Sequence, residues 1–291
     1  MSLLSKATVG TVGLLCRTFL KIGYCSSVTV NGLENRCKAL ESDERNPGRG
    51  VVTICNHIST LDEPVMWGVL PLRYHLNTRM TRWTLGASDI VLTNPIFSEF
   101  FRKGQVIETF RGNGVFQPAI NLAIDKLHSG AWVSLHPVDL IRFKWGVGRV
   151  LMETIKPPII IPMWLTGRSA PWKFFPRPGA ALSITVGKPV DNTAVREMVG
   201  LAVSTGDMPE LSQGTSGGRT DPVRPRQGKA SARVSESGWW GDAASPRPKA
   251  EAQSAPEWQT AEEIARICSA VTALLQREVE KLGREVVGDR V

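Results

Sequence analysis

Between residues 27 and 203 the chain alternates short, nearly continuous apolar runs with longer stretches in which apolar positions recur at helical spacing. The runs VVTIC (51–55), GQVIE (104–108), AWVSL (131–135), PIIIPMWL (158–165) and LSITVG (182–187) are rich in β-branched residues and too short for helices, so they read as buried strands. Glu63–Leu70, Pro95–Lys103, Val115–His128 and Gly146–Glu153 read as helices. Strands and helices in this order predict an α/β domain, a central sheet flanked by helices, with loops at the strand ends able to carry chemistry.

The pattern changes at both ends. From Leu3 to Tyr24 the chain is apolar but interrupted by Lys6, Arg17 and Lys21, and no acidic residue precedes Glu34. A membrane-spanning helix needs about 20 continuous apolar residues, which these cations disfavour. A transit peptide is usually richer in Arg, and a helix packed on the domain is a further reading. A helix lying in the membrane interface, with Leu14, Leu15, Phe19 and Ile22 in lipid and the cations at headgroups, fits best. Residues 1–26 are therefore expected to form an N-terminal membrane-associated helix, and 27–203 the α/β domain.

Residues 204–258 are dense in Gly, Ser, Pro, Arg and Ala and lack aliphatic periodicity, so they are expected to form a disordered insert. The Trp239-Trp240 pair inside it reads as a stray aromatic pair more readily than as a docking spot. Thr260-x-x-Glu263 is a capping box, followed at helical spacing by Ile264, Ile267, Val271, Leu274 and Leu282. Residues 259–291 should form a helix that packs back on the domain.

Composition narrows the classes. With 291 residues, 42% apolar and 21% charged, the chain can bury a sizeable core and is not wholly disordered. The net charge of +8 points toward anionic partners, and it is concentrated in residues 1–203, which hold 23 basic and 14 acidic residues. No basic arm or base-stacking aromatic signature accompanies it, which argues against nucleic acid and for anionic lipid. Cys16, Cys25, Cys37, Cys55 and Cys268 have neither CxxC nor zinc-site spacing, so they read as small apolar residues rather than a disulfide framework.

Candidate chemistry follows the first long strand. VVTIC runs directly into Asn56-His57-Ile58-Ser59-Thr60-Leu61-Asp62-Glu63-Pro64. A strand ending in a His, with a helix beginning at an acid five residues on, can bring that carboxylate onto the imidazole. The carboxylate would fix the tautomer, leave the other nitrogen to take a proton, and stabilise the imidazolium. No GxSxG elbow or other protein nucleophile is apparent, so such a base would activate a substrate hydroxyl. Taken alone, the same spacing is more often a helix-capping Asp62 beside a surface His57.

The context of that segment carries a resemblance. NHISTLDEPVMWG (56–68), RWTLGASDIVLTNPIFSEFFRKGQVI (82–107), RFKWGVGR (142–149) and PIIIPMW (158–164) occur in the order of the tafazzin branch of the glycerolipid acyltransferases, which the chain resembles over residues 10–190. The resemblance implies a glycerol-3-phosphate-acyltransferase-like fold, a central mixed sheet flanked by helices. It implies a CoA-independent transacylase that moves acyl chains between phospholipids and lysophospholipids and remodels cardiolipin. It also implies a place at the mitochondrial outer and inner membranes, facing the intermembrane space. By position, His57 resembles the family's base and Asp62 its orienting acid, while Arg111 in ETFRG sits where such enzymes bind phosphate.

The residues themselves agree: a guanidinium suits a phosphodiester, and Gly112 and Gly114 allow close backbone approach. Arg142, Lys144 and Arg149 bracket Phe143 and Trp145 and, beside a phospholipid, would each supply about 1 kcal/mol of headgroup attraction. On an ordinary surface they would be a solvated helix face. Asn56 and Ser59, on either side of the base, join Arg111, Gly112, Arg142 and Lys144 as candidate substrate-binding residues. No metal or organic cofactor is implied by any spacing, and nothing in the sequence specifies an oligomeric state.

The sequence departs from the family after AWVSL. Where tafazzins carry Phe-Pro-Glu-Gly, this chain has His136-Pro137-Val138-Asp139 and then LIRFKWG, so the Pro is matched and the Glu-Gly that helps hold glycerophosphate is missing. Two further readings therefore stand beside the transacylase: an acyl-CoA-dependent lysophospholipid acyltransferase using the same His–Asp pair, and a catalytically silent membrane-associated form.

Overall fold

In the computed structural model the apolar runs assemble into a seven-stranded sheet of order β1-β7-β6-β2-β5-β3-β4. The structure describes residues 3–23, 25–59, 62–110, 116–135, 146–167, 179, 181–193, 195, 197 and 261–288. The strands are β1 (Ser27–Asn31), β2 (Val51–Cys55), β3 (Arg82–Ala87), β4 (Val106–Thr109), β5 (Trp132–Leu135), β6 (Ile159–Gly167) and β7 (Ala181–Val186). Strands β6, β2, β5, β3 and β4 run parallel, whereas β7 pairs antiparallel with β6 and parallel with β1. The sheet is thus mixed, as expected, and the C-terminal ends of its parallel strands share one edge.

Strand periodicity divides the core into two layers. Val51, Cys55, Ile159, Ile161 and Met163 point to one face, covered by α1 (Leu3–Lys21), α2 (Leu33–Glu41), α3 (Asp62–Gly68) and α4 (Leu72–Leu76). Val52, Ile54, Val133, Ile160 and Trp164 point to the other, covered by α7 (Pro118–His128), α8 (Gly146–Met152) and α9 (Ala261–Val287). The short α5 (Ser88–Val91) and α6 (Pro95–Lys103) connect β3 to β4.

The C-terminal helix packs back as its periodicity predicts. Ile267, Val271, Leu275 and Val279 are buried in the second layer. Helices α8 and α9 touch almost backbone to backbone: a Cβ on Gly148 would stand 2.2 Å from the carbonyl oxygen of Cys268.

Two strands escape the sequence pattern. β1 is an edge strand with no fully buried residue, and β3 carries Arg82 and Thr84 at its interior positions. The N-terminal helix packs on the domain along one side and leaves apolar residues exposed on the other. Val9, Gly10, Gly13 and Cys16 pack inward, Gly68 of α3 approaching the Cys16 backbone, while Leu3, Leu4, Leu14, Leu15 and Ile22 lie exposed. Ser5 Oγ donates to the Lys103 carbonyl at the end of α6, and Arg17 to that of Leu70, so the helix is tied to the domain at both ends. All five cysteines are unpaired, and four are buried. The expected insert at 204–258 lies outside the described residues.

Candidate active site

Strand β2 is buried along its whole length and delivers the chain to the shared C-terminal edge. Its last register pair is Cys55 with Met163, and the Asn56 side chain continues the ladder. Asn56 Nδ2 donates to the Leu165 carbonyl at 2.8 Å, while its Oδ1 accepts from the Leu165 N–H at 2.7 Å. Asn56 is 3% exposed. Placed among the candidate substrate-binding residues by the sequence, it instead pins β2 to β6 and fixes the direction in which His57 leaves the sheet.

His57 and Asp62 meet as their spacing suggests. Asp62 opens α3 and is buried, and its Oδ2 accepts from His57 Nδ1 at 2.7 Å. The same oxygen accepts the backbone N–H of Ile58 at 2.6 Å and of Ser59 at 2.9 Å. The Asp62 N–H in turn donates to the Ser59 carbonyl at 3.1 Å. The strand-to-helix loop therefore curls around one carboxylate oxygen, which also sits favourably at a helix start. An ionised carboxylate only accepts, so Nδ1 carries the proton and the lone pair is on Nε2. The Asp62 side chain is 4% exposed and that of His57 29%, an orienting group inside with an imidazole reaching solvent. Ser59 enters the site through its backbone, as part of the cradle around Asp62.

Beneath this turn lies a polar cluster that sequence reading missed. Glu63 pairs with Arg82 of β3, their side chains 18% and 8% exposed, and accepts from Ser134 Oγ of β5 at 3.2 Å. Ser134 also meets Thr53 Oγ1 of β2 at 3.1 Å, and Trp132 Nε1 donates to Thr53 at 3.0 Å. The Arg82 guanidinium stacks 3.5 Å above the Trp67 ring. Arg36 lines the same pocket, fully buried, with Nε and Nη2 lacking hydrogen-bond partners. Burial pushes the Arg36 guanidinium down to about 10 and lowers that of Arg82, against the opposing pull of Glu63. Part of this cluster has a signal in the sequence: Thr53 and Ser134 are lone polar residues within the apolar runs VVTIC and AWVSL.

Of the remaining candidates, Arg111, Gly112, Arg142 and Lys144 lie outside the described residues, as do Gly114 and His136–Asp139. β4 ends at Thr109 and β5 at Leu135, on the same edge as the end of β2. Arg149 corrects the expectation of a headgroup cation. It is buried, binds Glu153 through Nε at 2.6 Å and Nη2 at 3.0 Å, donates to Asn121 at 2.7 Å, and stacks on Phe116. These contacts spend it on joining α8 to α7.

An oriented imidazole backed by a buried carboxylate can take a proton from a hydroxyl and return it to a leaving group. Comparison with known proteins places the chain among acyltransferases. The family model described as Acyltransferase matches residues 27–166. The Taffazin of Dictyostelium discoideum is 36% identical over 199 residues, which cover 63% of this chain and 68% of that protein. The Tafazzin of Drosophila melanogaster is 39% identical over 171 residues, covering 54% of this chain and 45% of its own length. An N-acylphosphatidylethanolamine synthase of Arabidopsis thaliana is 32% identical over 184 residues, covering 57% and 64% respectively.

Proposed function

Because the chain belongs to the tafazzin family of acyltransferases, we propose that it moves acyl chains between phospholipids and lysophospholipids without a CoA intermediate, remodelling cardiolipin from monolysocardiolipin. The observation that carries this reading is the 2.7 Å contact between His57 Nδ1 and the buried Asp62 carboxylate. His57 Nε2 takes the hydroxyl proton of the lysophospholipid as its oxygen attacks the ester carbonyl of the donor. Collapse of the tetrahedral intermediate breaks the bond to the donor's glycerol oxygen, which takes the proton from the imidazolium. A new ester and a new lysophospholipid result, and the base is restored. A water-poor site at the membrane surface favours transfer over hydrolysis.

The substrate phosphate is assigned to Arg111, with Gly112 allowing close approach, and headgroup attraction to Arg142 and Lys144. Asn56 and Ser59 serve this site by holding the loop around the base. Membrane association is supported by the exposed apolar side of α1, joined by Leu72 and Leu76 of α4 and by Ile96 and Phe97 of α6. The bilayer concerned is proposed to be anionic and mitochondrial, with the protein peripheral or monotopic.

The test is transfer of a labelled acyl chain from phosphatidylcholine to monolysocardiolipin in vesicles without CoA. Transfer by the wild type that disappears in His57→Ala, with vesicle binding retained, is expected. Transfer that appears only with acyl-CoA favours the CoA-dependent reading. The likeness to an N-acylphosphatidylethanolamine synthase favours a second reading, an amine acceptor. Including phosphatidylethanolamine in the vesicles distinguishes the two by whether an N-acyl or an O-acyl product forms.

A further inference from the structure

The residue after the candidate orienting acid is itself committed to a buried cluster. Successive helical residues point about 100° apart, so when Asp62 reaches back to the loop, Glu63 turns toward the sheet. There it meets Arg82 and Ser134. Arg82 is gripped twice by α3, by the Glu63 carboxylate and, one turn along, by the Trp67 ring. Ser134 carries the connection on to Thr53 of β2, the strand that leads into His57 two residues after its end. A continuous polar path thus joins the helix that bears Asp62 to the strand that leads into His57.

We propose that Glu63 and Arg82 are positioning residues for the His57–Asp62 pair, with Ser134 linking them to β2. This rests on the transacylase reading of His57. Without the path, α3 keeps its apolar packing through Val65, Met66 and Trp67 but loses its polar tie to β2, and can shift against that strand. Sub-ångström placement governs proton transfer, so such a shift lowers turnover more than binding. An ordinary buried ion pair makes a different prediction. Its loss would act through stability alone, and removing both charges would repair the damage.

Arg36 sharpens the distinction. Glu63 is the acidic residue lining the pocket that holds both Arg36 and Arg82, so neutralising it leaves two buried cations. Replacing Arg82 at the same time relieves one of them.

The experiment compares the wild type, His57→Ala, Glu63→Gln and Glu63→Gln/Arg82→Met in the vesicle transfer assay, each assayed well below its own Tm. Glu63→Gln is expected to lower kcat about 10- to 100-fold with KM nearly unchanged. The double variant should regain Tm relative to Glu63→Gln but not kcat. Recovery of kcat together with Tm, or wild-type kcat in Glu63→Gln, overturns the proposal. Should Glu63→Gln fail to fold, Ser134→Ala decides, since it removes one link and leaves the ion pair. A reduced kcat at unchanged KM supports the proposal, and a wild-type kcat overturns it. Failure of the underlying reading is separable: it shows as transfer retained in His57→Ala.

Discussion

The two faces of the sheet differ in how much polar chemistry their strands bury. The face toward α7, α8 and α9 is filled by Val52, Ile54, Leu127, Val133, Ile160 and Val271, aliphatic and deeply buried. The face toward α1, α2 and α3 has apolar residues too, but holds Arg36, Arg45, Arg82, Thr53 and Ser134 among them. Burying such groups is unfavourable unless they find partners. Arg45 finds the carbonyls of Leu40, Arg79 and Gly130, and Arg82 finds Glu63, whereas Arg36 leaves two nitrogens, Nε and Nη2, unsatisfied. The difference teaches that one layer supplies stability through non-directional burial. The other accepts polar groups whose directional bonds set the orientation of the turn at His57 and Asp62.

The contrast can be broken from either side. The largest effect is expected from Asp62→Asn, which keeps the shape but unsettles the His57 tautomer. Turnover should fall by roughly a thousandfold or more, read in the transfer assay, while the urea midpoint moves little. Leu127→Ala on the aliphatic face should do the reverse. It should lose about 2–5 kcal/mol of stability in denaturant titration, with kcat of the folded protein unchanged. A large kcat loss in Leu127→Ala would mean that the two layers are not separable. The smallest effect is expected from Arg36→Met, which removes a buried charge from the polar face and leaves Glu63 and Arg82 balanced. Its stability should be unchanged or raised by about 1 kcal/mol by calorimetry. Marked destabilisation would instead make the Arg36 charge part of the working network.

Legibility followed distance along the chain. β2 and β6 are legible because they are buried on both sides and read as nearly continuous apolar runs. The helix at Pro95–Lys103 was visible from its periodicity, with the Asn94 side chain accepting from Phe97 at its start. β3 was missed because Arg82 and Thr84 look like loop residues until their partners are known. The site divides in the same way. His57 and Asp62 are five residues apart and local geometry brings them together, but Glu63 meets Arg82 across 19 residues and Ser134 across 71. The role of Arg149 is hidden for the same reason: Asn121 and Phe116 reach it only when α8 docks on α7.

By itself, the sequence determined the α/β class, the buried central strands, the packing C-terminal helix and the His57–Asp62 pair. Each depends on periodicity or on contacts within one loop, where chain geometry leaves few alternatives. Tertiary structure alone decided that Asn56 is a sheet pin, that Arg149 is an internal brace, and that Glu63, Arg82 and Ser134 form one cluster. A polar side chain carries no mark of its partner, and whether it is solvated or buried and paired is settled only when distant strands and helices are brought within hydrogen-bond range.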